Sequence, residues 1–286
     1  MVKKVRKPVV AGYFYERDRD KLVQQIKWSI EHDLGPKEVV KKPREGYNAV
    51  PIGISPHAGY VYSGPIAAHI FAEIYRFHEP KTFIIAGPNH HGFGPPVAIV
   101  DEGVWETPLG SVEIDSDIAR ELRKKCNVVE IDYFAHEREH SIEVQLPFIQ
   151  YFFKDFKIVP ITLLIQDLSI AKCLGKAIAE IIRERNLGEV IYIASTDWNH
   201  YEPHEVTVEK DMKAIEKVLN LDVDGFYDII RRLDISVCGY GAVGTAIVAA
   251  REINVKDVKL LKHATSGDTS GYFLETVGYA AIAFYV

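Results

Sequence analysis

The chain has 286 residues, a formal net charge of −6, 47% hydrophobic residues and 26% charged residues. This length and composition suit one large globular domain with a substantial core, or two small domains. The acidic balance argues against a nucleic-acid-binding protein, because phosphate contacts require a basic surface. No apolar run reaches the roughly 18 residues that a membrane span needs. The charged N-terminus also lacks the apolar segment of a secretory signal.

Short apolar runs alternate with helix-like or loop segments along the chain. The sequence predicts buried strands at residues 49–55, 82–86, 157–163, 189–195 and 277–286, and helices at residues 66–75, 170–183 and 242–251. This alternation predicts an α/β fold, a three-layer α/β/α sandwich. Internal repeats and linker-like segments are absent from the sequence, so we predict a single domain over residues 1–286.

Three cysteines, Cys126, Cys173 and Cys238, are scattered along the chain. They cannot all pair, and their scatter favours free thiols in a reducing cytoplasm over a disulfide framework. Cys126 and Cys173 fall in or beside helix-like segments and are interpreted as structural. A cytoplasmic location is therefore the prediction.

Histidines follow three of the predicted strands in loops rich in Pro, Gly, Asn and Asp. His57 follows the first strand, His90 and His91 follow the second, and His200 follows a later one. Open α/β sheets bind ligands beyond the carboxyl ends of their strands, and imidazole is a common metal ligand and acid–base group. We favour His90 over His91 as the residue that faces the cleft, although the pattern alone does not separate them.

Cys238 and Asp197 are the other candidates for this cleft. Cys238 comes just before an apolar helical segment, where the helix dipole would stabilise a thiolate for metal binding or nucleophilic attack. A small buried structural cysteine is the equally weighted alternative. Asp197 precedes His200 by three residues. It could orient a histidine or support a metal ligand, or simply form a turn.

Two short motifs compete with this interpretation. Gly239, Gly241 and Gly244 fit G-x-G-x-x-G, but no strong strand precedes them, which argues against a dinucleotide site. His136 and His140 fit H-E-x-x-H, the zinc-peptidase pattern, but the residues before His136 lack helical periodicity. We expect His140 and Glu143 to line the cleft as polar residues instead.

Several segments, in order along almost the whole chain, resemble the Memo family, which is named for a mediator of receptor-driven cell motility. The matching stretches are Ala11-Gly-Tyr-Phe-Tyr15, Pro56-His-Ala-Gly-Tyr60, Gly87-Pro-Asn-His-His91, Glu139-His-Ser-Ile-Glu143, Ser195-Thr-Asp197 with His200, Cys238-Gly239 and Val277-Gly-Tyr-Ala-Ala281. This family is similar in fold to the type III extradiol dioxygenases. The resemblance therefore implies a sandwich with a central mixed sheet.

The resemblance also implies roles for individual residues. His57 and His90 match the two histidine ligands of the dioxygenase iron, and His200 matches the catalytic histidine. Cys238 stands where the dioxygenases have a ligating carboxylate, which puts ring-opening chemistry in doubt. His91, His140, Glu143 and Asp197 are expected to line the cleft or support the ligands. A thiolate favours softer or borderline metals, so iron or copper is expected, with zinc as the alternative.

Three functions follow from these residues. The first is a metal-dependent oxidoreductase that uses iron or copper, with His200 moving protons. The second is a non-catalytic protein that binds a small molecule or a peptide in the same cleft. The third, and the least favoured, is a zinc hydrolase built on His136 and His140. Neither nucleic acid nor a membrane is expected as a partner.

Overall fold

The structure is a computed structural model that describes residues 4–286. The first three residues of the predicted domain lie outside it. The described chain forms twelve strands: β1 (Val5–Arg6), β2 (Ile52–Ser55), β3 (Thr82–Pro88), β4 (Val97–Ile99), β5 (Val104–Thr107), β6 (Gly110–Ile114), β7 (Val129–Ile131), β8 (Lys157–Leu163), β9 (Val190–Ser195), β10 (His200–Glu202), β11 (Asp257–Thr265) and β12 (Thr276–Tyr285). All five predicted strands correspond to observed ones, with small differences at their ends.

Ten α-helices alternate with these strands, and a short 3₁₀ helix, Glu143–Gln145, lies between the fourth and the fifth. The helices are α1 (Arg19–Glu31), α2 (Tyr60–Phe77), α3 (Ser116–Lys125), α4 (Phe134–Glu137), α5 (Leu146–Phe152), α6 (Leu168–Arg183), α7 (His204–Leu219), α8 (Val223–Leu233), α9 (Tyr240–Glu252) and α10 (Ser266–Ser270). Across the described residues, no helix is both long enough and apolar enough to cross a membrane.

The strands form one mixed sheet in the order β1-β5-β6-β8-β3-β9-β2-β12-β10, with β11 paired to β12 and β4 paired to β8. Its centre is parallel: β8, β3, β9 and β2 run in the same direction. β12 then pairs antiparallel with β2. The carboxyl ends of the parallel strands therefore meet at one edge, and the loops that follow them are brought together there.

Alternate side chains of the central strands enter two separate cores, one on each face of the sheet. Along β3, Ile84 and Ala86 join a core with α3, α6, α7, α8 and α9. Phe83 and Ile85 point the other way and join a core with α1, α2 and α5. Because side chains alternate across a strand, strands buried on both faces carry continuous apolar runs. The predicted three-layer α/β/α sandwich is confirmed.

Gly53 in β2 lets helix α2 pack closely against the sheet. A Cβ at this position would lie 2.5 Å from Cγ1 of Ile70. Such a contact would push apart the sheet and the helix that begins immediately after the His57 loop. Close packing here therefore helps to fix the position of that loop.

Cys126 and Cys173 form a disulfide between the end of α3 and helix α6, so the expectation of three free thiols is wrong. Their Cα atoms lie 5.6 Å apart although 47 residues separate them along the chain, a proximity that sequence scatter does not reveal. Cys238 is free. Intracellular proteins of hyperthermophiles also carry disulfides, so the bond does not decide the location, and the cytoplasm stays a prediction.

Candidate metal centre

Loops at the carboxyl ends of three neighbouring parallel strands carry the predicted histidines. His57 lies two residues beyond β2 and His90 two residues beyond β3, while His200 follows β9 and begins β10. In the sheet β9 lies between β3 and β2, and Ser55 pairs with Ser195 at the ends of their strands. The parallel arrangement therefore gathers residues that are more than 100 positions apart in sequence.

Three imidazoles, those of His57, His90 and His140, form a compact cluster. Their potential ligand nitrogens all lie within 4.8 Å of one another. Ring centroids are 5.4 Å apart for His57 and His90, 5.6 Å for His57 and His140, and 4.6 Å for His90 and His140. Two nitrogens bound to one ion at about 2.0–2.1 Å each can be no more than about 4.2 Å apart. Small side-chain rotations would bring the three donors into that range.

The hydrogen bonds of Ser195 fix the tautomer of His57. The Ser195 hydroxyl donates its one proton to the carbonyl of Ser141 at 2.7 Å and accepts a hydrogen bond from Nε2 of Gln145 at 2.8 Å. Nδ1 of His57 lies 2.9 Å from the same oxygen. Because a hydroxyl has a single proton, Nδ1 must be the donor in this contact. Nε2 of His57 is therefore left with a free lone pair.

Glu139 orients His90 in a similar way. Its buried carboxylate accepts hydrogen bonds from Nδ1 of His90 at 2.9 Å and from the His90 backbone N–H at 2.7 Å. Burial alone would lower the pKa of His90, but the hydrogen bond and charge of Glu139 outweigh it and raise that pKa. Burial would raise the pKa of Glu139, but the bond from His90 and the nearby imidazoles keep it well below its usual range. Nε2 of His90 stays free for a ligand.

Burial keeps the other two imidazoles of the cluster neutral. It lowers the pKa of His57 well below 6.5, and the neighbouring His140 and His90 lower it further. Burial also lowers the pKa of His140 to about 4, against the opposing charge of Glu139. A neutral imidazole is the form that binds a metal ion. At neutral pH these two side chains are already in that form.

The Cys238 thiol lies beside His57. Its Sγ is 3.3 Å from Nε2 of His57 and accepts a hydrogen bond from the backbone N–H of Asp197 at 3.2 Å. Cys238 lies two residues before the start of α9, next to its N-cap residue Gly239, close to the position that the sequence indicates. However, burial, reinforced by the charge of Asp197, raises the pKa of the thiol, so the expected stabilisation of a thiolate by the helix dipole is outweighed. Binding of a cation is what would favour the thiolate.

Asp197 joins the His57 and Cys238 loops. Its Oδ1 accepts the backbone N–H of His57 at 2.8 Å, and its backbone carbonyl accepts the N–H of Cys238 at 3.3 Å. Burial raises the pKa of Asp197 to about 6, while the hydrogen bond from His57 and the charges of His200 and His90 oppose that rise. The carboxylate therefore holds the His57 main chain and adds negative charge near the thiol.

His200 is held at the rim of this centre by Ser236. Nδ1 of His200 donates to the Ser236 carbonyl at 2.8 Å, and its backbone N–H donates to the Ser236 hydroxyl, also at 2.8 Å. The ring is close enough for its charge to influence the pKa values of His57 and Asp197. Within the described part of the chain, the potential ligand groups do not include it. This hydrogen bond places the proton of the neutral ring on Nδ1 and the lone pair on Nε2.

Neither His91 nor Glu143 belongs to the cluster formed by His57, His90 and His140. His91 is exposed, and its Nε2 donates to the Arg138 carbonyl at 2.9 Å. It does belong to a second group of nearby donors, with Glu139 and His140. Glu143 is buried and accepts hydrogen bonds from Arg6 and from the Tyr15 hydroxyl, both at 2.7 Å. Its carboxylate thus anchors the N-terminal segment.

The H-E-x-x-H segment does not form a zinc-peptidase helix. Helix α4 ends at Glu137, so His136 and His140 are not on successive turns of one helix. In the part of the chain that the structure describes, the groups of potential metal ligands do not contain His136. His136 is instead buried beside Trp105, with 5.9 Å between ring centroids.

Sequence reasoning underestimated His140 and missed the roles of Ser195 and Glu139. His140 was expected only to line the cleft, yet its ring stacks on His90 and contacts Phe14, with 4.7 Å between the Phe14 and His140 centroids. Glu139 and Ser195 lie in the segments Glu139-His-Ser-Ile-Glu143 and Ser195-Thr-Asp197, which carry the family resemblance. Those segments were the available signal for both residues.

Comparison with known proteins agrees with the resemblance. The family model described as Memo-like protein matches residues 6–283. A MEMO1 family protein of Caldivirga maquilingensis is 58% identical over 282 residues, which cover 98% of this chain and 99% of the relative. A MEMO1 family protein of Pyrobaculum arsenaticum is 53% identical, with 99% of each chain covered. One from Ignicoccus hospitalis is 48% identical, with 98% of each covered.

Proposed function

We propose that this chain, which belongs to the Memo family, binds a redox-active metal ion through His57, His90 and Cys238. The observation that carries the proposal is the cluster of imidazole nitrogens within 4.8 Å of one another, with the Cys238 thiol 3.3 Å from Nε2 of His57. Among the described residues that cluster does not contain Cys238, and its third member, His140, is a further donor within reach. Its participation would give a set of three imidazoles and one thiolate.

The protonation states of the proposed donor side chains, as well as their positions, suit metal binding. Ser195 and Glu139 occupy Nδ1 of His57 and of His90 and leave each Nε2 free. Such partners raise ligand basicity and fix the ring orientation. The raised pKa of the Cys238 thiol predicts that binding releases a proton from Cys238, since a coordinating thiol is deprotonated.

The donor types favour iron or copper, with zinc as the alternative. Imidazole suits iron, copper and zinc, while thiolate shifts the preference toward softer or borderline ions. Iron or copper would supply one-electron chemistry at this position. The cysteine in place of a carboxylate separates this centre from the two-histidine, one-carboxylate sites of ring-opening dioxygenases. We therefore propose an oxidoreductase that differs from them in its reaction.

His200 is proposed to move protons to and from a substrate in the cleft. Its Nδ1–H donates to Ser236, so its Nε2 would accept a proton from a bound group. The nearby Asp197 carboxylate, buried within 2.8 Å of the His57 backbone N–H, would stabilise the imidazolium that results. Asp197 would thereby position the His57 main chain and stabilise the charge on the acid–base group.

Metal content tests the proposal. The untagged protein, reconstituted separately with Fe(II), Cu(I) and Zn(II) and then desalted, is analysed by mass spectrometry alongside His57→Ala, His90→Ala, Cys238→Ala and His140→Ala. His32→Ala is the matched control, because His32 follows α1 and, among the described residues, lies outside both groups of potential metal ligands. We expect about one ion per chain in the parent and the control, and loss in the His57, His90 and Cys238 variants. Failure of the parent to retain any of the three ions would sink the proposal and leave a ligand-binding cleft as the better account.

A further inference from the structure

His200 stands next to a strained backbone position. Tyr201, the residue that follows it, has a φ angle of 59°, in the left-handed region that bulky residues rarely adopt. The pairing of β10 with β12 shifts in register at the same point, between His200 and Glu202. Such strain persists only where the surrounding structure holds it. The contacts on the two sides of Tyr201 therefore show what holds His200 in place.

The side chain of Asn199 ties these two sides together. Its Oδ1 accepts hydrogen bonds from the backbone N–H and from the hydroxyl of Ser236, both at 3.2 Å. Its Nδ2 donates to the carboxylate of Glu202 at 2.6 Å. The Ser236 backbone N–H can only donate and an ionised carboxylate can only accept, so these partners fix the orientation of the amide. Asn199 itself is buried.

Ser236 connects this amide to the ring of His200. Its hydroxyl accepts the backbone N–H of His200 at 2.8 Å, and its carbonyl accepts the Nδ1–H of the ring, also at 2.8 Å. Ser236 is exposed, in the loop between α8 and α9. Its two hydrogen bonds to Asn199 fasten that loop to a buried side chain. Asn199 thus acts on the His200 ring through Ser236.

Asp211 in α7 holds the main chain of Asn199. The Asp211 carboxylate is fully buried, and its Oδ1 accepts the Asn199 backbone N–H at 2.9 Å. Its Oδ2 lies 2.8 Å from Nε2 of His263 in β11. Burial raises the pKa of Asp211, and the hydrogen bond and charge of His263 oppose that rise. His263 therefore stabilises the carboxylate that Asn199 needs.

Gly278 in β12 completes the support of Asn199. Its N–H donates to the Asn199 carbonyl at 2.9 Å, and its own carbonyl accepts the N–H of Trp198 at 2.8 Å. A Cβ at Gly278 would overlap Oδ2 of Asp211, so the absence of a side chain lets the carboxylate approach the strand. The Asn199 main chain is thus held from α7 on one side and from β12 on the other.

We propose that Asn199 and Asp211 are positioning residues for His200 and that they keep the proton of its neutral ring on Nδ1. Asp211, paired with His263, fixes the Asn199 main chain, and the Asn199 amide fixes Ser236 as the acceptor of Nδ1–H. Nε2 thereby keeps the lone pair that a proton acceptor requires. This inference rests on the proposed function, in which His200 moves protons.

NMR of the metal-free full chain with ¹⁵N-labelled histidine tests the proposal at mildly alkaline pH. In the parent we expect one tautomer of His200, with a protonated Nδ1 and an unprotonated Nε2. In Asn199→Ala and in Asp211→Ala this preference should be lost, and the two nitrogen shifts should move toward each other. Asp211→Asn should restore the parent pattern, because its Oδ1 still accepts the Asn199 N–H and its Nδ2 can donate to a neutral His263.

Asp115→Ala is the matched control. Asp115 also accepts a backbone N–H, that of Ile118 at 3.1 Å, but it contacts Thr82 at the start of β3, at the opposite edge of the sheet from His200. This variant should show the His200 shifts of the parent. A change as large as that in Asp211→Ala would mean that general loosening moves the shifts, and would overturn the proposal.

The proposal is also overturned if His200 of the parent carries its proton on Nε2, or if Asn199→Ala keeps the parent shifts. Identical shifts in Asp211→Asn and Asp211→Ala would overturn the part of Asp211. Should Asp211→Ala fail to fold, Asn199→Ala decides, because it leaves the buried carboxylate paired with His263. The expected shifts in a protein that retains no metal would refute the metal centre and support the positioning of His200.

Discussion

The Ser195 hydroxyl lies 2.9 Å from Nδ1 of His57 and donates its only proton to the Ser141 carbonyl. That arrangement makes Nδ1 of His57 the donor and turns the lone pair of Nε2 toward Cys238, 3.3 Å away. The end of strand β9 thus sets the tautomer of a residue that follows β2. Strands β2 and β9 are parallel and pair as far as their last residues, Ser55 and Ser195. This pairing brings the Ser195 hydroxyl close to His57.

Replacing Ser195 with Ala should weaken metal binding. The change removes the acceptor for Nδ1 of His57 and frees the ring to rotate, and loss of such a supporting group costs about 10–100-fold in metal affinity. Competition with a chromophoric chelator measures the affinity. Ser29→Ala is the matched control, because Ser29 is also buried and its hydroxyl donates to the Gln25 carbonyl. Equal affinities for Ser195→Ala and the parent would show that Ser195 does not position His57.

Glu139→Gln should lower the pKa of His90 in the metal-free protein. The negative charge and hydrogen bond of Glu139 are what raise that pKa above 6.5. A neutral amide removes the charge, and burial then acts unopposed. NMR titration of the His90 ring signals in the parent and the variant measures the change. Glu106→Gln, at a partly exposed carboxylate that pairs with Lys7, is the control. An unchanged His90 pKa in Glu139→Gln would rule out this electrostatic role.

His136 should make the folded state sensitive to acid. Its pKa is about 3 in the folded protein, lowered by burial and by Arg6 and opposed by Glu139, against about 6.5 when unfolded. Below pH 6.5 the unfolded chain binds a proton that the folded chain excludes. The free energy of unfolding therefore falls by about 1.4 kcal/mol per pH unit from this residue alone, until the folded pKa is reached.

Urea denaturation of metal-free protein at pH 7 and pH 5 checks this effect. Between these two values His136→Phe should lose about 2 kcal/mol less stability than the parent. The other histidines whose pKa values are lowered by burial, His57, His69, His78 and His140, are present in both proteins, so their contributions cancel in the comparison. Identical pH dependence in the two proteins would contradict the account of His136.

The Cys126–Cys173 disulfide should stabilise the fold. It closes a segment of 47 residues, for which loop-closure entropy gives about 4 kcal/mol. The double variant Cys126→Ala/Cys173→Ala should therefore unfold at a lower urea concentration than the parent. Its metal affinity should equal that of the parent. Thiol counting in denatured, unreduced protein provides the direct check. One reactive thiol, from Cys238, is expected, and three would show that the disulfide does not form in the protein as isolated.

The sequence predicted the strand ends well because buried parallel strands carry continuous apolar runs. His57 and His90 could be assigned to one edge from that pattern alone. The helix predicted from periodicity at residues 66–75 begins six residues later than the observed α2, which starts at Tyr60. Pro65 is the sixth residue of this helix, and it removes one backbone hydrogen bond there without ending the helix.

Contacts between distant segments were beyond sequence reasoning. His140 follows no strand, and its place beside His90 results from packing of the loop between α4 and α5 against the sheet edge. The Cys126–Cys173 pair depends on helices α3 and α6 lying side by side. The raised pKa of Cys238 depends on burial, whereas its position before a helix alone indicates a lowered one. Each of these properties depends on the three-dimensional arrangement of segments that are distant in the sequence.

X-ray absorption at the metal edge tests the central claim most directly. The parent protein loaded with one equivalent of copper or iron is compared with Cys238→Ser loaded in the same way. The proposed centre predicts a sulfur scatterer about 0.2–0.3 Å farther from the metal than the imidazole nitrogens, the difference that zinc–thiolate and zinc–imidazole bonds show, with the sulfur signal lost in Cys238→Ser. A parent spectrum without sulfur, or one unchanged by the Cys238 substitution, would contradict ligation by His57, His90 and Cys238.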